Sequence, residues 1–212
     1  MTAIQSTQAQ LRPLGMIGLT RDNRSSAASP ASHFAGPLAG PVVELLRELA
    51  GVVAALTAEQ YTRRADDAFF KGTIGGHVRH CLDHIRALVR GVSGDVVEYD
   101  RRLRGTEIET DPIAAREEIR GLRREIDDVA SLSLDLPLTV RLLPTKDGAP
   151  VDLRSTLGRE LAFVLSHTIH HNATIKGMAV DLGVSLPGSF GYAPATLAHQ
   201  SASAKGNSAC AH

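Results

Sequence analysis

Apolar residues recur every three or four positions over four stretches of the chain, and each stretch reads as one amphipathic helix. The first begins near Pro41 and carries Val42, Leu45, Leu46, Leu49, Val52, Val53 and Leu56 on its stripe. The second opens after Thr73, a residue suited to capping a helix start, and runs to about Val92. Its stripe is Ile74, Val78, Cys81, Ile85 and Leu88. A third helix follows Asp111-Pro112, a cap followed by proline at the first helical position. It is highly charged and offers a narrow seam of Ile113, Ile119, Leu122, Ile126 and Val129. The fourth runs from about Ser155 to Leu182 and stops at Gly183, which can adopt the left-handed conformation that ends helices.

Between the third and fourth helices the pattern changes. Leu138 to Leu143 and Val151 to Leu153 flank Asp147-Gly148, the signature of a short hairpin. The other long connection, residues 93–110, is polar and charged, and loops of that length are often functional. These elements predict an all-α protein, an up-down four-helix bundle with a long crossover loop and a small β-hairpin between helices three and four. Residues 1–37 are rich in Ser, Ala, Gln, Gly and Pro and read as a flexible leader. The bundle is expected over 38–198, and 199–212 reads as a flexible tail.

Composition narrows the function. With 23 basic and 23 acidic residues the formal net charge is zero, so no strong field draws the chain to nucleic acid or anionic lipid. Aromatic residues make up 4% and tryptophan is absent, which disfavours stacking platforms for single strands. No apolar run is long enough for a membrane span or a signal peptide, so a cytoplasmic protein is expected. Cys81 and Cys210 cannot build a disulfide framework, and the position of Cys81 on an apolar stripe suggests a buried, inert thiol.

Histidine carries the chemistry. Six of the nine histidines fall in two short windows, His77, His80 and His84 on the second helix and His167, His170 and His171 on the fourth. At 100° per residue the first three lie within an arc of about 60°, beside the apolar stripe. His167 and His171 stand one turn apart on the core side, whereas His170 is offset by about 100° and points away. Two helices thus aim imidazoles at a shared interior, where bundles build metal sites. Three protein ligands with open positions are the mark of a catalytic rather than a closed structural site. Geometry alone leaves open which of His77, His80 and His84 joins the pair.

Thr73-Ile74-Gly75-Gly76-His77-Val78-Arg79-His80 resembles the first ligand helix of the DinB-like (YfiT-like) metal-binding four-helix bundles. Ser166-His167-Thr168-Ile169-His170-His171-Asn172 resembles that family's second ligand helix. The resemblance implies metal ligation by His80, His167 and His171, with His77 and His84 flanking the ion or facing substrate. Asp83 and Glu160 are candidates for orienting the ligands. Many members follow the last ligand with Arg-Gly-Gln, where this chain has Asn172-Ala173-Thr174, so no particular substrate transfers.

The same resemblance implies one divalent ion per chain, Zn, Ni or Fe, and an enzyme that activates a low-molecular-weight thiol for transfer to an electrophile. Two other readings are Fe(II)- and oxygen-dependent sulfur oxidation, as in related sulfoxide synthases, and a non-catalytic metal-binding or stress-associated bundle. Tyr99, Arg102, Arg104 and Glu107 of the crossover loop are the candidates for substrate contact, since guanidinium groups grip carboxylates in a bidentate fork. The expected partners are a small-molecule substrate and a second copy of the chain, with no nucleic acid and no membrane.

Overall fold

Helix α1 spans Gly36–Ala55 in a computed structural model that describes residues 33–65, 72–101 and 104–209. It starts well before the expected Pro41. Ala35 and Ala39 are buried, and their packing keeps the chain helical through Pro37 and Pro41 despite the missing backbone donors. A short helix, α2, covers Ala58–Thr62 behind a capping box of Thr57 and Gln60. It delivers Tyr61 to the core, where the phenol donates to the carbonyl of Ile108 at 2.7 Å.

Helix α3, Ile74–Gly94, opens as its sequence predicts, with Thr73 Oγ1 accepting from the Gly76 amide at 2.9 Å. Helix α4, Pro112–Val129, is capped by Asp111, which accepts from the Ile113 amide at 2.7 Å. Its buried seam is Ala115, Ile119, Leu122, Ile126 and Val129. Ile113, expected in that seam, is 67% exposed. It lies about 160° around the helix from Ala115, which takes its place. Helix α5 spans Leu157–Asp181, and Gly183 follows with φ of 74°.

Two features depart from the sequence expectation. The hairpin forms as β2, Pro137–Leu142, antiparallel to β3, Val151–Thr156, but a third strand joins it. Strand β1, Val96–Glu98, pairs parallel to β2 with Val96 opposite Thr139. Three residues are too short a run to show a period of two, so β1 was invisible among the polar loop positions. The protein is mostly helical with a small three-stranded sheet in the order β1-β2-β3. The second feature is α6, Pro194–Ala209, which occupies most of the segment expected to be a tail. Proline at its start and repeated alanines favour a helix there.

The long helices pack in a closed cycle, α1 on α4 and α5, and α3 on the same two. Helices α1 and α3 are therefore diagonal, unlike a plain up-down chain in which successive helices touch. The N-terminal approach is tied down as well. Ala35 donates to the Leu132 carbonyl at 2.8 Å and Leu134 to that of His33 at 2.7 Å, so residues 33–37 of the expected leader are structured. Residues 1–32, Arg102 and Cys210 lie outside the described residues. Among the described residues no helix is long and apolar enough to cross a membrane.

Candidate metal centre

Helices α3 and α5 pack together, and their five inward histidines meet along the contact. His80 Nε2 lies 3.0 Å from His167 Nε2, and His77 Nδ1 lies 3.2 Å from His171 Nδ1. His84 is 4% exposed and stacks on His167 with ring centroids 4.1 Å apart. Its Nδ1 sits 3.0 Å from the His80 carbonyl oxygen, which can only accept, so Nδ1 carries the proton. In the neutral ring Nε2 is then the acceptor, the state that a metal ligand needs.

One nitrogen each from His80, His84 and His167 lie within 4.8 Å of one another. This trio shares two members with the set that the family resemblance implies, and has His84 in the place of His171. His171 stays close, with its ring 4.5 Å from that of His80 and 4.6 Å from that of His167. His170 is exposed, as its offset predicts. A hollow of about 250 Å3 opens on the cluster, lined by Gly72, Thr73, Gly76, His77, Arg79, His80 and His171.

Burial, followed by the nearby His167, His77, His170 and His84, pushes the His171 pKa from 6.5 down to about 3. The folded pKa is thus below the unfolded one, and between those values the unfolded chain binds the extra proton. Stability that depends on neutral His171 is present above about pH 6.5 and drains away as pH falls toward about 3. Metal-free protein should accordingly lose its stability advantage over His171→Gln on acidification through that window. Urea unfolding of both proteins at several pH values checks this, and a constant difference would contradict it.

Among the described crossover-loop candidates, Tyr99 alone reaches the cluster. It follows β1, stacks on His84 with centroids 5.3 Å apart, and packs against Phe163 at 4.9 Å. Its hydroxyl donates to Glu160 Oε2 at 2.7 Å. Burial, then the Glu160 carboxylate, drive the phenol pKa upward, so Tyr99 stays protonated. Glu160 is fully buried and also accepts from Ser155 Oγ and from Arg159 Nη1, the latter at 2.8 Å. Tyr99 thus stands between Glu160 and the His84 ring.

The remaining candidates lie elsewhere. Asp83 is gripped by Arg79 at 2.8 Å and Arg86 at 2.9 Å, in a network that continues to Glu109 and Glu118. Arg104 and Glu107 are exposed, Arg104 beside a separate hollow shared with Asp100 and Lys146. Cys81 is buried, and burial pushes its thiol up to about 12, the environment expected of an unreactive core thiol. Sequence reasoning gave no role to Phe163 or Arg79. Phe163 was signalled only by standing one turn before His167, and Arg79 by standing beside His80.

A model of the DinB superfamily matches residues 42–175, a stretch that contains all five clustered histidines. The chain belongs to the DinB superfamily. Two solved DinB-like proteins share its fold. The one from Bacillus subtilis has a TM-score of 0.52 at 12% identity, covering 71% of this chain and 95% of that one. The one from Bacillus cereus has a TM-score of 0.51 at 13% identity, covering 74% and 97%. The chain is also 39% identical over 105 residues to a Rhizopus delemar protein named FK506-binding protein 5. That match takes in 49% of this DinB superfamily chain and 27% of the longer relative.

The residues present in this DinB site suit a metal. The trio offers imidazole nitrogen alone, a donor set fit for Zn, Ni, Co or Fe and unsuited to Mg or Ca. The His84 tautomer and the nitrogen-to-nitrogen approach of His80 and His167 are what imidazoles sharing a cation require. Three histidines of this DinB protein could therefore hold a metal ion.

Proposed function

We propose that this chain is a metal-dependent enzyme of the DinB class that activates a low-molecular-weight thiol for transfer to an electrophile. In this reading its four long helices form the family's four-helix bundle, and the domain begins at Gly36 rather than at 38. One divalent ion is held by His80, His84 and His167. The observation that carries the reading is their three nitrogens within 4.8 Å of one another, beside an open hollow. Such an ion supplies Lewis acidity, which raises the thiolate fraction of a bound thiol at neutral pH.

The chain's own residues do the rest. The His80 carbonyl holds His84 in the ligating tautomer. Tyr99 and Phe163 close one flank of the cluster against water, and the buried Glu160 anchors Tyr99 there. The hollow at His77 and Arg79 is the approach for substrate. The thiol sulfur forms the new bond to an electrophilic carbon, its proton passes to solvent, and the electrophile's leaving group departs with the electron pair.

A second assignment of the third ligand rests on a specific observation, the closeness of the His171 ring to both His80 and His167. Comparing His84→Ala with His171→Ala decides between them, since only loss of a ligand removes the tight ion. For the activity, metal-free and zinc-loaded protein are assayed with glutathione and 1-chloro-2,4-dinitrobenzene, and with other small thiols. Thiol consumption that needs the loaded protein is the expected result. Equal rates with and without metal, or none with any thiol, would remove the transferase reading.

A further inference from the structure

We propose that the free edge of β3 pairs antiparallel with β3 of a second copy of this chain, joining the two sheets into one. The inference stands apart from the metal reading and uses no histidine.

The order β1-β2-β3 leaves β3 at the edge of its sheet. Alternate residues of an edge strand turn their N–H and C=O groups outward, where they can template another strand. Proteins usually blunt such an edge with a lysine, a proline, a bulge or a covering element. Strand β3, Val151–Thr156, contains neither lysine nor proline. It has no bulge, because it keeps unbroken register with β2 from Pro137 opposite Thr156 to Leu142 opposite Val151. Val151, Asp152, Leu153 and Arg154 are all exposed.

One face of this edge is apolar. Leu153 stands opposite Val140 and Val151 opposite Leu142, so both continue the sheet face that buries Leu138 and Val140. Val140 is 6% exposed, whereas Leu153 is 48% exposed. The apolar face therefore runs out past the bundle that covers β2. A further strand alongside β3 would cover Leu153 from its open side.

The opposite face carries charge, and the order of its charges selects both the partner and the register. A twofold axis through Leu153 sets that leucine against its own copy, the symmetric contact of a closed dimer. The same axis sets Asp152 against Arg154 of the second copy, and Arg154 against its Asp152. Opposite charges facing across two strands stabilise the pair, and like charges destabilise it. An axis through Asp152 or Arg154 would instead put like charges face to face. An axis between two residues would lay the apolar side chains of one copy on the polar face of the other.

The neighbours on β2 leave these charges suited to the purpose. Arg154 stands opposite the uncharged Thr139. Asp152 receives the Arg141 guanidinium at 2.8 Å, so in the joined sheet its carboxylate would lie between two arginines. One strand edge buries little surface, so the association is weak, with a Kd of about 10–100 μM.

The test is sedimentation equilibrium of the full-length chain at concentrations up to about 1 mM. A monomer–dimer equilibrium is expected. Asp152→Arg and Arg154→Asp each set like charges across the twofold axis and should each weaken self-association about tenfold or more. An equimolar mixture of these two variants has opposite charges facing at both positions and should form a heterodimer as the wild type forms its dimer. Recovery in the mixture separates lost pairing from lost folding, and circular dichroism of each variant checks the helices. A wild type that stays monomeric throughout overturns the proposal and leaves the edge to a different partner. A dimer that survives both single substitutions overturns it as well, placing the interface on another face. So does a mixture that stays monomeric, because the order of charges along β3 is then not what joins the copies.

Discussion

Replacing His167 by alanine is expected to strip the chain of its tight metal ion. His167 belongs both to the trio of nearest nitrogens and to the set that the family resemblance implies, so the outcome does not depend on the choice between His84 and His171. It faces His80 at 3.0 Å and stacks on His84, so under the proposed ligation its removal takes away one ligand and the support of a second. Changes beyond the ligands already cost metal sites about 10–100-fold in affinity, and loss of a ligand should exceed that. Metal content after dialysis against a buffered zinc solution checks it, with His170→Ala as the control that keeps its metal. Metal retained at wild-type level by His167→Ala would show that the cluster does not bind the ion.

The second large effect is structural. A Cβ on Gly75 would overlap the carbonyl oxygen of Glu109 and stand 2.7 Å from Tyr61 Cε1. Helix α3 can lie against the 3-10 turn Glu107–Glu109 only because position 75 has no side chain. Backbone has to move to admit a methyl group, so Gly75→Ala should destabilise the fold by about 3 kcal/mol, at the upper end of overpacking effects. Gly40 provides the contrast. It also lies in a helix, but a Cβ there meets nothing within 4 Å, so Gly40→Ala should stabilise by up to about 1 kcal/mol through helix propensity. Urea unfolding midpoints of the two variants should move in opposite directions. A Gly75→Ala protein as stable as wild type would mean that α3 does not pack on that turn.

These two positions show how unevenly the sequence discloses the molecule. The starts of α3 and α4 were legible because Thr73 and Asp111 satisfy amides two or three residues away, an interaction written entirely in local sequence. The same holds for the end of α5 before Gly183 and for the β2–β3 hairpin around Asp147-Gly148. The histidine windows were legible for a related reason, since helical spacing alone puts His167 and His171 on one side and His170 on the other. Gly75 could be read only as half of Gly75-Gly76, because what forbids a side chain there is a carbonyl 34 positions along the chain.

By itself, then, the sequence determined the long helices, most of their buried stripes, the hairpin and the clustering of histidines on two of the helices. All of these follow from interactions spanning a few residues, whose geometry a helix or a tight turn sets in advance. The tertiary structure alone decided which helices touch, that Val96–Glu98 becomes a strand, and that α1 begins at Gly36. It also decided that Glu160 serves Tyr99, that Asp83 serves two arginines, and that His84 stands nearer His80 and His167 than the spacing rule could say. These depend on the rotation and offset of one helix against another, which are settled by the packing of the whole core and not by any single segment.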